Sequence, residues 1–276
     1  MNTNSKTKNY TLRYIVSTYV VFWLGILLLG GIYLLTNSDL FMDFAIVFLS
    51  WTPTFVLLIM FKKLIPNTTR KNYIKEAFSQ KINFKIIIIT AIGFIFSIIF
   101  TYLLMVNNSD VLSLKSANLS LGFVITETLV CILSGATGEE LGWRGYLQKH
   151  FEDKNNGNVI KSALQVGLIW CFWHIPLWFM SAASSLTFLL NYILTFIISN
   201  ICLSVIMAIC FKYCRNLFVP MWIHFLANIT LSLATPFFIS ESVIIIAKWI
   251  LSLFYIGITI FFVVWYKTKY KSNKLN

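Results

Sequence analysis

The sequence predicts an all-α membrane protein, a single polytopic bundle of about eight transmembrane helices over residues 1–276, with both termini cytoplasmic. Three observations carry this. Of the 276 residues, 58% are hydrophobic and only 12% are charged, about half the charged fraction of a soluble domain. Apolar runs recur along nearly the whole chain, and about 20 residues at 1.5 Å each cross about 30 Å of hydrocarbon. Finally, the basic residues fall on one side of the resulting spans.

Taken in order, the runs place spans at 14–35, 41–61, 86–106, 119–148, 160–181, 186–211, 217–237 and 243–266. Lys6, Lys8 and Arg13 precede the first run, as in a secretory signal. That run is longer than a signal core, however, and ends in Thr36-Asn37-Ser38-Asp39 without a small-residue cleavage site, so it is expected to be retained. With eight spans and an inside N-terminus, 20 of the 22 basic residues fall on the inside, and only Lys115 and Lys248 fall outside. The positive-inside rule asks for this bias. The segment 62–85 is basic but carries Phe78 and other apolar residues, which suits partial contact with the inner membrane surface.

The net charge of +12 is thereby explained by cytoplasmic loops meeting anionic lipid. A nucleic-acid partner is not indicated, since no basic run is interleaved with exposed aromatics. The five cysteines all fall in or beside apolar runs, form no CxxC and are odd in number; they read as small buried hydrophobes. Richness in Lys, Asn and Ile suggests an AT-rich bacterial genome and a bacterial plasma membrane.

Ionisable groups inside the hydrocarbon are costly and mark function. The fourth span carries Glu127, Glu139 and Glu140, with Arg144 near its cytoplasmic end; the fifth carries His174; the seventh carries His224 and Asn228. Glu140 and Arg144 are four apart and can pair on one helix face. A structural clasp would explain those two but leaves Glu139, about 100° round the helix, without a partner. Gly135, Gly138 and Gly142 permit close helix approach. Trp170 and His174 lie one turn apart, and Pro176 perturbs the helix just beyond them. His224 and Asn228 share a face and can offer two donors to one point, although interhelical hydrogen bonding alone would also account for them. Counting helix rises puts Glu139, His174 and His224 at roughly 10–20 Å from the inner surface. Glu127 lies more than three turns from Glu139 and reads as a separate feature.

A carboxylate, an imidazole and a second donor pair suit general-base hydrolysis. Glu139 with His174 can activate water, and His224 with Asn228 can stabilise an oxyanion. Two His and one Glu can also hold zinc with an open position, but HExxH and the ExxH pairs of di-iron bundles are missing. No cofactor is therefore expected, with a divalent metal such as zinc left open. A serine or cysteine nucleophile has no support: there is no GxSxG and no cysteine with an evident base. The rival readings are a peptide-toxin immunity protein that acts by binding, and a proton-coupled transporter, for which inverted repeats and paired broken helices are lacking.

Glu139-Glu140-x-x-x-Arg144, Trp170-x-x-x-His174 and His224-x-x-x-Asn228, each on a separate span, together resemble the three-part signature of the CPBP intramembrane proteases. That family takes in the type II CAAX prenyl endopeptidases and the bacteriocin-immunity (Abi) proteins. The resemblance covers residues 119–230, which it implies are the catalytic core. It implies that Glu139 and His174 activate water, that His224 and Asn228 form the oxyanion hole, and that Glu140, Arg144 and Trp170 support them. It also implies a hydrophobic or lipidated peptide substrate, with metal dependence left open. The family pattern has Phe where Trp170 stands, an aromatic exchange expected to alter packing and leave the chemistry intact. In a bacterium, prenylated proteins would not be the expected native substrates.

Overall fold

The structure is a computed structural model that describes residues 3–106, 120–181, 185–237 and 240–275. Lys115 lies outside these residues. The described chain is helical throughout, without a strand. Seven helices are long and apolar enough to cross a membrane, which makes this a multi-pass membrane protein.

The N-terminal helix α1 (Thr3–Thr36) presents Leu24, Leu27 and Leu28 on its exposed surface, where acyl chains would solvate them. The second span is made of α2 (Asp39–Ser50) and α3 (Thr52–Leu64), which meet at Trp51. Pro53, in the first turn of α3, marks the join, since proline suits a helix start. The basic segment contains a short helix, α4 (Arg70–Ala77), capped by the Thr69 side chain. Asn216 pins the chain after α4 by donating to the carbonyls of Phe78 and Gln80. Next comes α5 (Phe84–Val106).

The fourth span begins regularly as α6 (Leu121–Cys131) and then widens into two π-helical stretches, Ile132–Ala136 and Leu141–Gln148, before α7 (Lys149–Lys154). The segment expected to form the fifth span is divided. Helix α8 (Val159–Trp173) has 15 residues and is followed by α9 (Ile175–Ser181). At 1.5 Å per residue α8 alone is about 22 Å long, short of a full crossing. The break at His174 has a cause two residues on, because Pro176 lacks the N–H that would continue the ladder and its ring clashes with the preceding turn.

The centre of the bundle is α10 (Leu186–Cys214), with every residue from Cys202 to Cys210 buried. It packs most extensively against α8 and α12 (Glu241–Leu275). It ends at Arg215, in a left-handed conformation at φ 47°, and α11 (Phe218–Ala234) follows. All five cysteines are free and buried.

Candidate active site

Glu139 stands where the helical ladder of the fourth span is loosest. A π-helical stretch lies on either side of it, and Ser134 in the first has ψ −115°, far from helical values. Such wide turns recur at functional sites because they re-aim side chains and release backbone groups. Here the adjacent residues Glu139 and Glu140 point to different partners. Both are buried, at 3% and 0% exposure.

Glu139 Oε2 accepts hydrogen bonds from two indoles, Trp143 Nε1 at 3.2 Å and Trp170 Nε1 at 2.5 Å. That leaves Oε1 without a protein donor among the described residues. The support expected of Trp170 includes a hydrogen bond as well as packing: its N–H donates to the carboxylate, which a phenylalanine could not do. Glu140 Oε1 accepts from Arg144 Nη1 at 3.0 Å and lies 2.7 Å from His224 Nδ1. The i,i+4 pair read from the sequence is therefore formed, and it reaches across to α11. The Arg144 guanidinium also lies over the Trp170 ring, 4.3 Å from its centroid. Trp170 thereby touches Glu139 and the guanidinium that pairs with Glu140.

The kink after α8 orients His174. Its backbone N–H bonds the Cys171 carbonyl at 3.0 Å instead of that of Trp170. The freed Trp170 carbonyl lies 2.8 Å from His174 Nδ1. A carbonyl can only accept, so Nδ1 carries the hydrogen and Nε2 keeps a lone pair. The ring is held between Trp173 and Phe196, at centroid distances of 4.6 and 5.1 Å.

His224 and Asn228 approach the fourth span at Gly135, where no side chain stands between the helices. A Cβ at Gly135 would lie 2.5 Å from His224 Nε2 and 3.1 Å from Asn228 Nδ2, so only glycine leaves room. A similar demand holds at Gly142, where a Cβ would come within 2.5 Å of the Tyr14 hydroxyl. With Nδ1 of His224 against Glu140, only Nε2 remains to serve the site, and it can donate there only from the doubly protonated ring.

Glu139, Trp170, His174, His224 and Asn228 all line one cavity of about 260 Å³ inside the bundle. Side chains from three segments of sequence thus converge on one partly open cavity. Glu140 and Arg144 stand behind its wall. Glu127 is elsewhere, accepting a hydrogen bond from the Ser232 hydroxyl, as its spacing from Glu139 suggested. Three further polar features were not singled out from the sequence. Trp143 lies four residues from Glu139, a spacing that could have been read. Asn200 and Lys248 also line the cavity, but nothing local marks them. Among the described residues, no three His, Cys, Asp or Glu side chains are grouped so as to hold a metal ion.

Residues 120–230 match the family described as type II CAAX prenyl endopeptidase Rce1-like. The chain is also similar to CAAX prenyl protease 2 of Methanococcus maripaludis, 27% identical over 230 residues, covering 78% of this chain and 82% of that protein. The family match begins at the N-cap of α6 and ends within α11, so it takes in every side chain of the Glu139–His174–His224–Asn228 constellation. These matches agree with the resemblance to CAAX-type intramembrane endopeptidases read from the three motifs, and they extend it beyond the motifs to most of the chain.

Proposed function

We propose that this protein hydrolyses a peptide bond of a lipidated or strongly apolar peptide, with Glu139 and His174 activating water and His224 and Asn228 stabilising the oxyanion. The observation that carries the reading is the arrangement of lone pairs and donors round one buried cavity. The two indoles engage one oxygen of Glu139, so the other is available to a water molecule. The Trp170 carbonyl holds the hydrogen of His174 on Nδ1, so Nε2 is available as an acceptor. Water between these two acceptors loses a proton as its oxygen attacks the carbonyl carbon. Negative charge then develops on the carbonyl oxygen, where Asn228 Nδ2 and the Nε2–H of protonated His224 can donate to it. The proton gained by the base passes to the leaving amine.

Glu140 and Arg144 act through other groups. Glu140 fixes the His224 ring at Nδ1, and Arg144 compensates the charge of Glu140. A partly open site between helices, with mostly apolar walls, suits a substrate anchored in the bilayer, and a farnesylated CAAX-type peptide is the natural probe. Purified protein in detergent or vesicles should cleave such a peptide, and Glu139→Gln should abolish the cleavage without unfolding the protein. Cleavage by folded Glu139→Gln at the wild-type rate would overturn the proposal.

A further inference from the structure

A second cavity lies in the groove between α5 and α12, and at about 620 Å³ it is larger than the catalytic one. The two share no lining residue, because the body of α12 stands between them. Leu251 and Tyr255 line the catalytic cavity, while Ile250, Phe254 and Gly257 line the groove. α5 and α12 run antiparallel: Gly93 faces Ile258, Phe94 meets Tyr255 and Phe96 meets Phe254. The groove's walls are aromatic and aliphatic, and Phe96, Leu253 and Phe261 on them are more than half exposed. Glycine weakens a helix interior relative to alanine, yet Gly257 stands within α12. A Cβ there would meet no atom within 4 Å, so no packing inside this chain asks for the glycine. It deepens a groove that the chain itself does not fill.

We infer that this groove holds one acyl chain of an anionic phospholipid, whose phosphate is met by Lys85 and Lys269. The charge at one end of the groove selects this occupant. Lys85 stands one helical turn before Ile89, and Lys269 two turns beyond Phe262, so both continue the helix faces that line the groove. In the antiparallel register Lys85 is level with Trp265, which puts the two lysines about one turn, roughly 6 Å, apart in height. Both are exposed, and basic groups at the edge of a span attract anionic headgroups. At 1.5 Å per residue the groove from Ile89 to Leu104 is about 22 Å long. That is enough for a chain that crosses half of about 30 Å of hydrocarbon. The lipid of a peptide held at Glu139 does not suit the groove, since α12 separates it from the catalytic cavity. A second copy of this chain, paired symmetrically through the groove, would set these lysines against their own counterparts. The inference stands apart from the proteolytic reading.

The test takes the full chain, purified and delipidated in detergent, and titrates it with phosphatidylglycerol or phosphatidylcholine of the same acyl chains, read by native mass spectrometry. Wild type should hold one phosphatidylglycerol per chain and bind it about tenfold or more tightly than phosphatidylcholine. Lys85→Gln and Lys269→Gln should each weaken phosphatidylglycerol about fivefold, the effect of one basic group at an anionic surface, and leave phosphatidylcholine unchanged. Gly257→Leu puts a side chain into open space, so it should fold as wild type and lose both lipids. Gly30→Leu, equally open but on α1, should keep them. Phosphatidylglycerol held by folded Gly257→Leu at the wild-type affinity would overturn the groove as the site. Equal affinity of wild type for the two lipids, or unchanged affinity in both lysine variants, would overturn the headgroup's part and with it the inference, whether or not Gly257→Leu folds. Two further outcomes would also overturn it. Displacement of the bound lipid by a farnesylated peptide would give the groove to the substrate, and a wild-type dimer that Gly257→Leu dissolves would give it to a second copy.

Discussion

Trp170 donates its indole N–H to Oε2 of Glu139 at 2.5 Å, from a helix that begins after the turn following the fourth span. The same indole lies under the Arg144 guanidinium and against the His224 ring at a centroid distance of 5.0 Å. One side chain thus contacts both the proposed base and the group that compensates its neighbour. Replacing Trp170 by Phe keeps the ring and removes the donor. Losing a hydrogen bond to a charged group costs about 1.5–3 kcal/mol, so kcat/KM should fall by about tenfold to a hundredfold. Helical content and thermal unfolding should stay close to wild type. Peptide cleavage by Trp170→Phe at the full rate would show that Glu139 is positioned without this bond.

Gly135 gives a steric prediction. A methyl group there would overlap His224 Nε2, on an element that cannot move away because His224 Nδ1 is held by Glu140. Gly135→Ala should therefore cost at least a hundredfold in kcat, the loss typical of removing an oxyanion donor. Gly30→Ala, a position with open space around it, serves as the control that should cleave normally.

Breaking the Glu140–Arg144 pair should be felt as stability. Both side chains are fully buried, and removing one partner of a buried pair strands the other at a cost of about 3–5 kcal/mol. Arg144→Leu should lower the unfolding temperature in detergent sharply. Arg144→Lys should rescue it only in part, since an ammonium keeps the charge but loses the planar stacking on Trp170. An unchanged melting profile for Arg144→Leu would mean the pair contributes nothing to the fold.

Asn228 should separate binding from chemistry. It is proposed to donate only to the oxyanion, so Asn228→Ala should lower kcat by about a hundredfold to a thousandfold and leave KM nearly unchanged. Equal effects on kcat and KM in opposite directions, or on KM alone, would assign Asn228 to ground-state binding.

The sequence carries some of this and hides the rest for physical reasons. Spans are legible because a bilayer demands apolar runs of fixed length, and Glu140–Arg144 is legible because helical geometry fixes i,i+4 neighbours. His174, His224 and Asn228 stand out because polar groups are rare in hydrocarbon. Pro176 announces a perturbation near His174, although not that the fifth segment separates into α8 and α9. The donor role of Trp170 is not legible, since an indole in an apolar run reads as packing until a carboxylate from another helix is placed beside it. Lys248 has the same difficulty: in the sequence it is only a basic residue near the outer end of the last span. Its place in the cavity depends on how α12 lies against α10. The π-helical turns that separate the directions of Glu139 and Glu140 have no local signature beyond the glycines that allow close packing.

The most direct test of the central claim compares new peptide N-termini in membranes of cells that carry wild type or Glu139→Gln at matched expression. The account predicts a set of cleavage products present only with wild type, each from a membrane-associated or lipidated substrate. Identical N-terminal profiles, with the variant folded and still protective against a peptide toxin, would contradict it and leave binding as the activity of this cavity.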